Sequence, residues 1–264
     1  MGNDIPTNTS KQVNSVRRRL SLILQDVSYL LNRSYDKRRA IDFVASRYLL
    51  DRSIRNFIFR TLSSNLIADQ TKVKLRTSEQ LAGFNLGIDG FNILLTLREM
   101  IQRKPVYLCY DHVIRDISGN YGNFPLDSEG KIAIQTLSSI LLTVPVKQFT
   151  VLLDEPVSHS GEIAAEMRTE LNKQTQNSFS AQEGIKNRFE DAVVTVRSPD
   201  HELNKFDVVA SHDSIVIERA KWIFDIPQHV ATLDLFASEV IDVRALIQGL
   251  GEVPHELRTK LDPD

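Results

Sequence analysis

The sequence predicts a three-layer α/β domain with a mainly parallel sheet, preceded by a small all-helical domain. Two observations lead to this prediction. Apolar residues between positions 10 and 80 recur at intervals of three and four, the spacing of amphipathic helices, whereas the later part of the chain alternates short apolar runs with helix-compatible stretches. The chain has 264 residues, which is enough for two domains that each bury a hydrophobic core.

Three helices are predicted in the first part of the chain. The first runs from about Asn14 to Asn32 with one apolar face, and after a break at 33–35 Asp36 is placed to cap a second helix and Asp51 a third. The short connection between the second and third helices resembles a helix-turn-helix. Because any antiparallel helical pair has this spacing, we favour nonspecific nucleic-acid or RNA binding over specific reading of DNA.

The charge of the chain is unevenly distributed. Residues 1–86 hold 15 Lys and Arg against 7 Asp and Glu, giving +8, and the remainder holds 17 against 27, giving −10, within a net charge of −2. A basic surface attracts polyanions such as nucleic acid, although solvated faces alone would also produce this imbalance. In the basic part, Arg33 and Arg55 are predicted to contact the substrate backbone.

The chain is divided at the polar stretch 71–83, which lacks helical periodicity. We expect a basic helical domain at residues 1–80 and an α/β domain at 86–252. The polar and charged end of the sequence, 253–264, is expected to be a mobile tail.

Cysteine content and hydropathy indicate the compartment. The single cysteine, Cys109, excludes an internal disulfide framework and a zinc site built on several cysteines. The first ten residues are polar, and no later run approaches the roughly 20 apolar residues of a membrane span. We therefore expect a soluble, cytoplasmic protein that does not enter a membrane, and the sequence leaves its oligomeric state open.

Apolar runs in the second part of the chain are predicted to be buried strands, at 86–88, 106–108, 149–153, 192–196 and 206–210. In an open parallel sheet the ligand site lies beyond the carboxyl ends of the strands. Polar residues that directly follow these runs are therefore the candidate site residues: Asp89, Asn92, Asp111, Asp154, Ser211 and Asp213.

The aspartates among these residues predict a divalent-metal site. Several carboxylates at one sheet edge are unfavourable unless protons or cations compensate their charge. Mg²⁺ and Mn²⁺ take oxygen ligands and need only a few protein carboxylates, so Asp89, Asp111, Asp154 and Asp213 are the predicted ligands. For any one aspartate after a strand the alternative is a turn or a helix cap, and the prediction depends on the coincidence of all four.

Two short motifs resemble a known family. Residues 86–93, Leu-Gly-Ile-Asp-Gly-Phe-Asn-Ile, resemble the first-strand motif of NYN-type PIN-like ribonucleases, in which an apolar strand ends in Asp-Gly-x-Asn. Residues 208–213, Val-Val-Ala-Ser-His-Asp, resemble the later strand of that family, which ends in Ser-x-Asp before a helix.

The resemblance implies a PIN/NYN-like fold and a role for each matched residue. Asp89 would be a metal ligand, Asn92 would orient a ligand or the scissile phosphate, and Asp213 with Ser211 would complete the acidic site. The mid-domain acidic helix residue of the family is not identified in this chain. Glu162 and Glu166 are candidates for it, but Asp154 at the end of the middle strand is better placed.

The whole chain also resembles an archaeal family of two-part proteins of unknown function. Residues 29–35, with 47–50, match the helical first half of that family, and residues 111–122 match its second half. This resemblance implies the division into a helical and a PIN-like part, and implies no activity.

Residues 111–122 contain many polar and turn-forming residues and are predicted to form a loop over the cleft. In it, Arg115 is placed to hold a phosphate and Tyr121 to stack on a base. The alternative is an ordinary surface loop in which Arg115 pairs with Asp111 or Asp116. Two histidines elsewhere, at positions 159 and 212, have either a proton-transfer or a structural role.

The function that these observations predict is metal-dependent hydrolysis of RNA phosphodiester bonds, with Mg²⁺ or Mn²⁺ and with the helical domain holding the RNA; DNA is the second candidate substrate. The main alternative is a non-catalytic nucleic-acid-binding protein with a degenerate PIN-like domain. A phosphatase with Asp89 as nucleophile is disfavoured because Phe91 stands where a second aspartate is required. No Gly-x-Gly-x-x-Gly motif follows the first strand, which argues against a dinucleotide oxidoreductase.

Overall fold

A computed structural model describes residues 8–118, 123–178 and 192–261 of the chain. In chain order its helices are α1 (Asn8–Leu31), α2 (Lys37–Tyr48), α3 (Arg52–Thr61), α4 (Asn65–Lys74), α5 (Gly90–Ile101), α6 (Ser128–Thr143), α7 (Ser160–Ser178), α8 (Pro199–Leu203), α9 (Ser214–Arg219), α10 (Ile226–Thr232), α11 (Val243–Ile247) and α12 (His255–Leu261). The strands are β1 (Asn85–Asp89), β2 (Val106–Leu108), β3 (Ile114–Arg115), β4 (Gln148–Asp154), β5 (Val193–Val196), β6 (Val208–Ala210), β7 (Trp222–Ile223) and β8 (Val240–Asp242).

These residues group into two compact units. Unit 1 consists of three segments, Met1–Gln70, Tyr107–Ile117 and Val240–Asp264. Unit 2 consists of the remaining two segments, Thr71–Val106 and Ser118–Glu239. Among the described helices, none has the length and apolarity needed to cross a membrane.

The core of unit 1 is built on the apolar face of α1, where Leu20, Ile23 and Leu24 are fully buried. The predicted caps of the next two helices are confirmed, because the side chain of Asp36 accepts a hydrogen bond from the Arg39 N–H and that of Asp51 accepts one from the Ile54 N–H. Residues from the two later segments complete this core: Tyr107, Cys109, Ile241, Val243, Leu246, Val253, Leu257 and Leu261.

The end of the chain differs from the expected mobile tail. Residues His255–Leu261 form α12, and the side chains of Leu257 and Leu261 are 2% and 0% exposed. The two leucines are four residues apart and lie on one helical face, while the charged residues between them give the segment its polar composition.

Unit 2 is built on a parallel sheet whose described strands have the order β5-β4-β1-β6-β7. Its central strand is β1, in which Ile88 lies opposite Val151 of β4 and Ala210 of β6. With its flanking helices this sheet forms the three-layer α/β arrangement that the sequence predicts. The chain proceeds from β1 to β4 and β5 on one side and then returns to β6 and β7 on the other, so the strand order reverses between β1 and β6.

Two strand predictions need correction. The run 106–108 does form strand β2, but it pairs antiparallel with β3 in a separate sheet of order β3-β2-β8. Strands β3, β7 and β8, with two or three residues each, were not predicted because they are too short to show a periodic pattern.

We expect Leu257→Ala to lower the free energy of unfolding by about 2–5 kcal/mol, because it removes a buried side chain and leaves a cavity. The matched control is Leu250→Ala, since Leu250 is 72% exposed and its removal is expected to change stability by about 0.5 kcal/mol or less. Urea unfolding of the full chain measures both. Equal stability of the two variants would show that α12 does not pack on the core.

Candidate acidic site

Asp89 is the last residue of β1 and lies at the carboxyl edge of the sheet, where the strand order reverses. It is 3% exposed. Gly90 follows and begins α5, and a Cβ atom at this position would lie 2.6 Å from the Leu153 side chain and 3.0 Å from the Leu152 carbonyl oxygen. Glycine is therefore needed for the chain to pass from strand to helix so close to β4.

Two side chains orient the Asp89 carboxylate. The Ser211 hydroxyl donates a hydrogen bond of 2.8 Å to Asp89 Oδ2, and the side-chain amide of Asn92 donates to the same oxygen. Ser211 Oγ in turn accepts a 3.1 Å hydrogen bond from the Asp213 N–H, which fixes the hydroxyl. Asp89, Asn92 and Ser211 are thus brought together, joining the ends of β1 and β6.

Burial raises the pKa of the Asp89 carboxyl to about 6, although the hydrogen bonds from Asn92 and Ser211 favour its ionised form. The negative charge of Asp154 acts in the same direction as burial. The ionised carboxylate is therefore destabilised both by loss of water and by a like charge. A bound cation would offset both effects.

Asp154 ends β4, the neighbour of β1, and is half-buried. Its pKa is raised by burial and by the charge of Asp200, an exposed residue in the first turn of α8. Sequence reasoning missed Asp200. The signal was present, because Ser198-Pro199 after an apolar run marks a helix start and places Asp200 just beyond a strand end.

Asp213 caps α9, since its Oδ1 accepts hydrogen bonds from the Ile215 and Val216 N–H groups at 2.8 and 3.1 Å. This is the helix-cap alternative that applies to any aspartate after a strand. His212 is buried, with Nδ1 3.1 Å from the hydroxyl of the buried Thr96. That contact ties the end of β6 to α5.

Asp89 and Asp154 are the residues of this site that could hold a divalent cation. Mg²⁺ commonly binds proteins through one or two carboxylates and takes its other ligands from water and substrate phosphate. The buried Asp89 fits such an ion, because its oriented carboxylate has a raised pKa and a second carboxylate nearby. Within 8–118, 123–178 and 192–261 there is no group of three or more His, Cys, Asp or Glu suited to a metal ion.

Asp111 and Arg115 belong to unit 1, not to the unit that contains Asp89. They form an ion pair with two hydrogen bonds of 2.7 Å, and both side chains are buried. Burial opposes ionisation of Asp111, but the charge and hydrogen bonds of Arg115 outweigh it and lower the pKa of Asp111. We expected Asp111 to bind metal and Arg115 to bind phosphate, and the structure instead pairs them with each other.

The segment that carries this pair also differs from the expected loop over a cleft. Residues Ile114–Arg115 form β3, and Val113 and Asp116 are buried as well. This polar-looking segment is buried because Val113 and Ile114 are apolar and the charged residues beside them form ion pairs, Asp111 with Arg115 and Asp116 with Arg60. Tyr121, the predicted stacking residue, lies outside the described residues.

The other predicted contacts lie on the surface. Arg33 is exposed, and its guanidinium carbon lies 4.5 Å from the centre of the Tyr29 ring. Arg55 lies 3.6 Å from Asp42, and both side chains are partly exposed. His159 is exposed beside Glu162, 3.1 Å away, at the start of α7.

The families and the relative that this chain matches are described as being of unknown function or uncharacterized. The family described as "Domain of unknown function (DUF5616)" matches residues 78–229, and the family described as "Protein of unknown function (DUF434)" matches residues 19–74. The uncharacterized protein MJ0935 of Methanocaldococcus jannaschii is 34% identical over 204 residues, which cover 76% of this chain and 91% of that protein. No solved structure matches the chain.

We expect metal-free stability to depend on pH through Asp89. The pKa of this carboxyl rises from 3.8 to about 6 on folding, so between these values the folded chain binds the proton more tightly than the unfolded chain. The free energy of unfolding should therefore decrease as pH rises through this window, by at most roughly 3 kcal/mol. Asp89→Asn should remove this component.

Denaturant unfolding in EDTA between pH 4 and 7 measures this dependence. Asp234→Asn is the matched control, because Asp234 is exposed and the substitution makes the same change of charge. If wild type and Asp89→Asn show the same slope against pH, Asp89 is not the group responsible.

We expect Arg115→Met to lower the free energy of unfolding by about 3–5 kcal/mol, because it leaves the Asp111 carboxylate buried without its partner. Replacing both residues, as in Asp111→Leu with Arg115→Met, should recover much of the loss. Lys131→Met on the exposed face of α6 is the control. If urea unfolding shows unchanged stability for Arg115→Met, Arg115 is not a buried partner of Asp111, and the phosphate-binding role predicted from the sequence is favoured.

Proposed function

The chain belongs to the DUF5616 family, and we propose that its acidic site is that of a metal-dependent ribonuclease of the PIN/NYN-like type, hydrolysing RNA phosphodiester bonds. The observation that supports this proposal is the Asp89 carboxylate, which is buried, oriented by Asn92 and Ser211, and close enough to Asp154 for their charges to interact. Asp89 and Asn92 come from the Asp-Gly-x-Asn motif, and Ser211 comes from the Ser-x-Asp motif.

The position of the site supports the proposal as well. In open α/β sheets, ligands bind outside the carboxyl ends of the strands where the strand order reverses. Asp89 and Ser211 lie at the ends of the two strands that flank this point, β1 and β6. A phosphodiester entering there would be repelled by the carboxylates at this edge of the sheet. A cation bound between them would offset the repulsion.

Asp89 and Asp154 would hold the ion, Mg²⁺ or Mn²⁺. When bound, such an ion polarises the phosphate and lowers the pKa of the attacking water. Asn92 and Ser211 keep the Asp89 carboxylate in one orientation, so that little reorganisation is needed when substrate arrives. The excess of positive charge in residues 1–86 supports a polyanion such as RNA as the ligand.

A second candidate function is nucleic-acid binding without catalysis. It is favoured by the absence, in the described ranges, of a group of three potential metal ligands. It is also favoured by Asp213, whose Oδ1 is engaged in capping α9. In that case the acidic site would be a degenerate remnant, and RNA would be bound but not cut.

We expect Mg²⁺ or Mn²⁺ to raise the melting temperature of the wild-type chain and to support cleavage of a mixed RNA pool, measured in the same samples. Asp89→Asn should lose the metal-dependent stabilisation and reduce cleavage by roughly 100-fold or more, because the oriented carboxylate that holds the ion is gone. Asp154→Asn should weaken the metal response, and Asp234→Asn should behave as wild type.

The outcomes separate the two candidate functions. Metal-dependent cleavage that survives in Asp89→Asn would contradict the proposed site. Binding of RNA without cleavage at any concentration of either metal, with no metal-induced stabilisation, would favour the non-catalytic function.

A further inference from the structure

Unit 1 carries exposed aromatic rings beside cations, around the turn that joins α1 to α2. Tyr29 and Tyr35 are each 58% exposed, and Phe59 of α3 is 43% exposed. With Arg33 and Lys37 these residues form a surface that we call the aromatic–basic patch. Exposed rings that lie beside positive charge are a feature of ligand-binding surfaces.

Rings and cations are in direct contact within the patch. The guanidinium carbon of Arg33 lies 4.5 Å from the centre of the Tyr29 ring, and Lys37 Nζ lies 4.9 Å from the centre of the Phe59 ring. The turn itself is anchored, because Asn32 Oδ1 accepts a 2.7 Å hydrogen bond from the Asn65 N–H at the start of α4. Planar surfaces and positive charge are therefore held at the same place.

The two cations of the patch differ in their surroundings. Neither Arg33 nor Lys37 forms an ion pair with a carboxylate in the part of the chain that the structure describes. The acidic residue of the turn, Asp36, is engaged in capping α2 through the Arg39 N–H. Lys37 is less exposed than Arg33: burial and the charge of Arg115 lower the pKa of its ammonium group to about 8, while the charge of Asp111 acts in the opposite direction.

The exposed face of α2 extends this surface. Arg39, Phe43 and Arg47 follow one another at intervals of four, so they lie along one side of the helix, and Phe43 is 68% exposed. A ring flanked by two arginines repeats the chemistry of the patch about one helical turn away. A ligand that continues along α2 would meet cations and a ring in alternation.

We propose that the aromatic–basic patch binds a single-stranded stretch of RNA, with bases stacked on Tyr29, Tyr35 and Phe59 and with a phosphate held by Arg33. This proposal rests on the proposed function in taking RNA as the substrate. Aromatic faces and arginine planes accept unpaired bases, whereas a duplex hides its base faces in its own stack. A protein partner fits less well, because an apolar contact would bury these cations without an anion.

Fluorescence anisotropy with a labelled, mixed-sequence 15-nucleotide RNA tests the proposal on the full chain. Measurements in EDTA exclude cleavage, so that binding is separated from the acidic site. The same strand in a duplex and a DNA strand of the same sequence are the comparison probes. We expect the single-stranded RNA to bind at least about ten-fold more tightly than the duplex.

The variants separate stacking from charge. Tyr29→Ala and Tyr35→Ala should each weaken binding of the single strand by about ten-fold while leaving its salt dependence unchanged. Arg33→Gln should reduce the slope of log affinity against log salt by about 0.7. Leu235→Ala and Lys131→Gln, both at exposed positions of unit 2, are the matched controls and should bind as wild type. Circular dichroism melting confirms that each variant is folded.

Equal binding of single strand and duplex, or unchanged affinity in both tyrosine variants, would overturn the proposal. Tighter binding of the DNA strand would overturn the assignment to RNA. The two proposals can fail separately. If Asp89→Asn loses cleavage while the tyrosine variants keep full affinity, only the proposed role of the aromatic–basic patch is contradicted. If the chain binds single strands selectively but cleaves RNA with neither metal, only the proposed nuclease activity is contradicted.

Discussion

The burial of one carboxylate at the end of the central strand is the constraint on which the acidic edge of the sheet depends. An aspartate that is 3% exposed would ordinarily be protonated or paired with a cationic side chain. Asp89 has two neutral hydrogen-bond donors and a second aspartate nearby instead. Its ionised form is therefore destabilised by burial and by a like charge, and a proton or a cation would offset this destabilisation.

The neighbours of Asp89 are explained by the same constraint. Gly90 is required because any side chain there would collide with β4, and the helix that begins at this residue brings Asn92 back to the carboxylate. Ser211 reaches Asp89 because β6 is parallel to β1 and directly adjacent, so that both strands end at one edge. Residues 122 positions apart are thus joined by strand register alone.

Much of this edge could be predicted from the sequence, because each residue directly follows an apolar run. Asp89, Asn92 and Ser211 needed only the prediction that two runs are parallel strands. The pairing of Asp111 with Arg115 was no more than one of two alternatives, since the nearby Tyr107 and Cys109 share a core with residues such as Leu246 and Leu257 that come more than a hundred positions later. The electrostatic effect of Asp200 on Asp154 likewise exists only in three dimensions.

The excess of positive charge in the first part of the chain is not spread evenly over its basic residues. A count of +8 in residues 1–86 treats all basic residues alike, yet Arg55 lies near Asp42 and Arg60 near Asp116. Charges that are already compensated contribute little to the field that a polyanion meets. Arg33 differs from these residues, because it is exposed and lies beside the Tyr29 ring. A count of charges along the sequence does not distinguish such residues from those with carboxylate neighbours, because the distinction depends on contacts that form only in the folded chain.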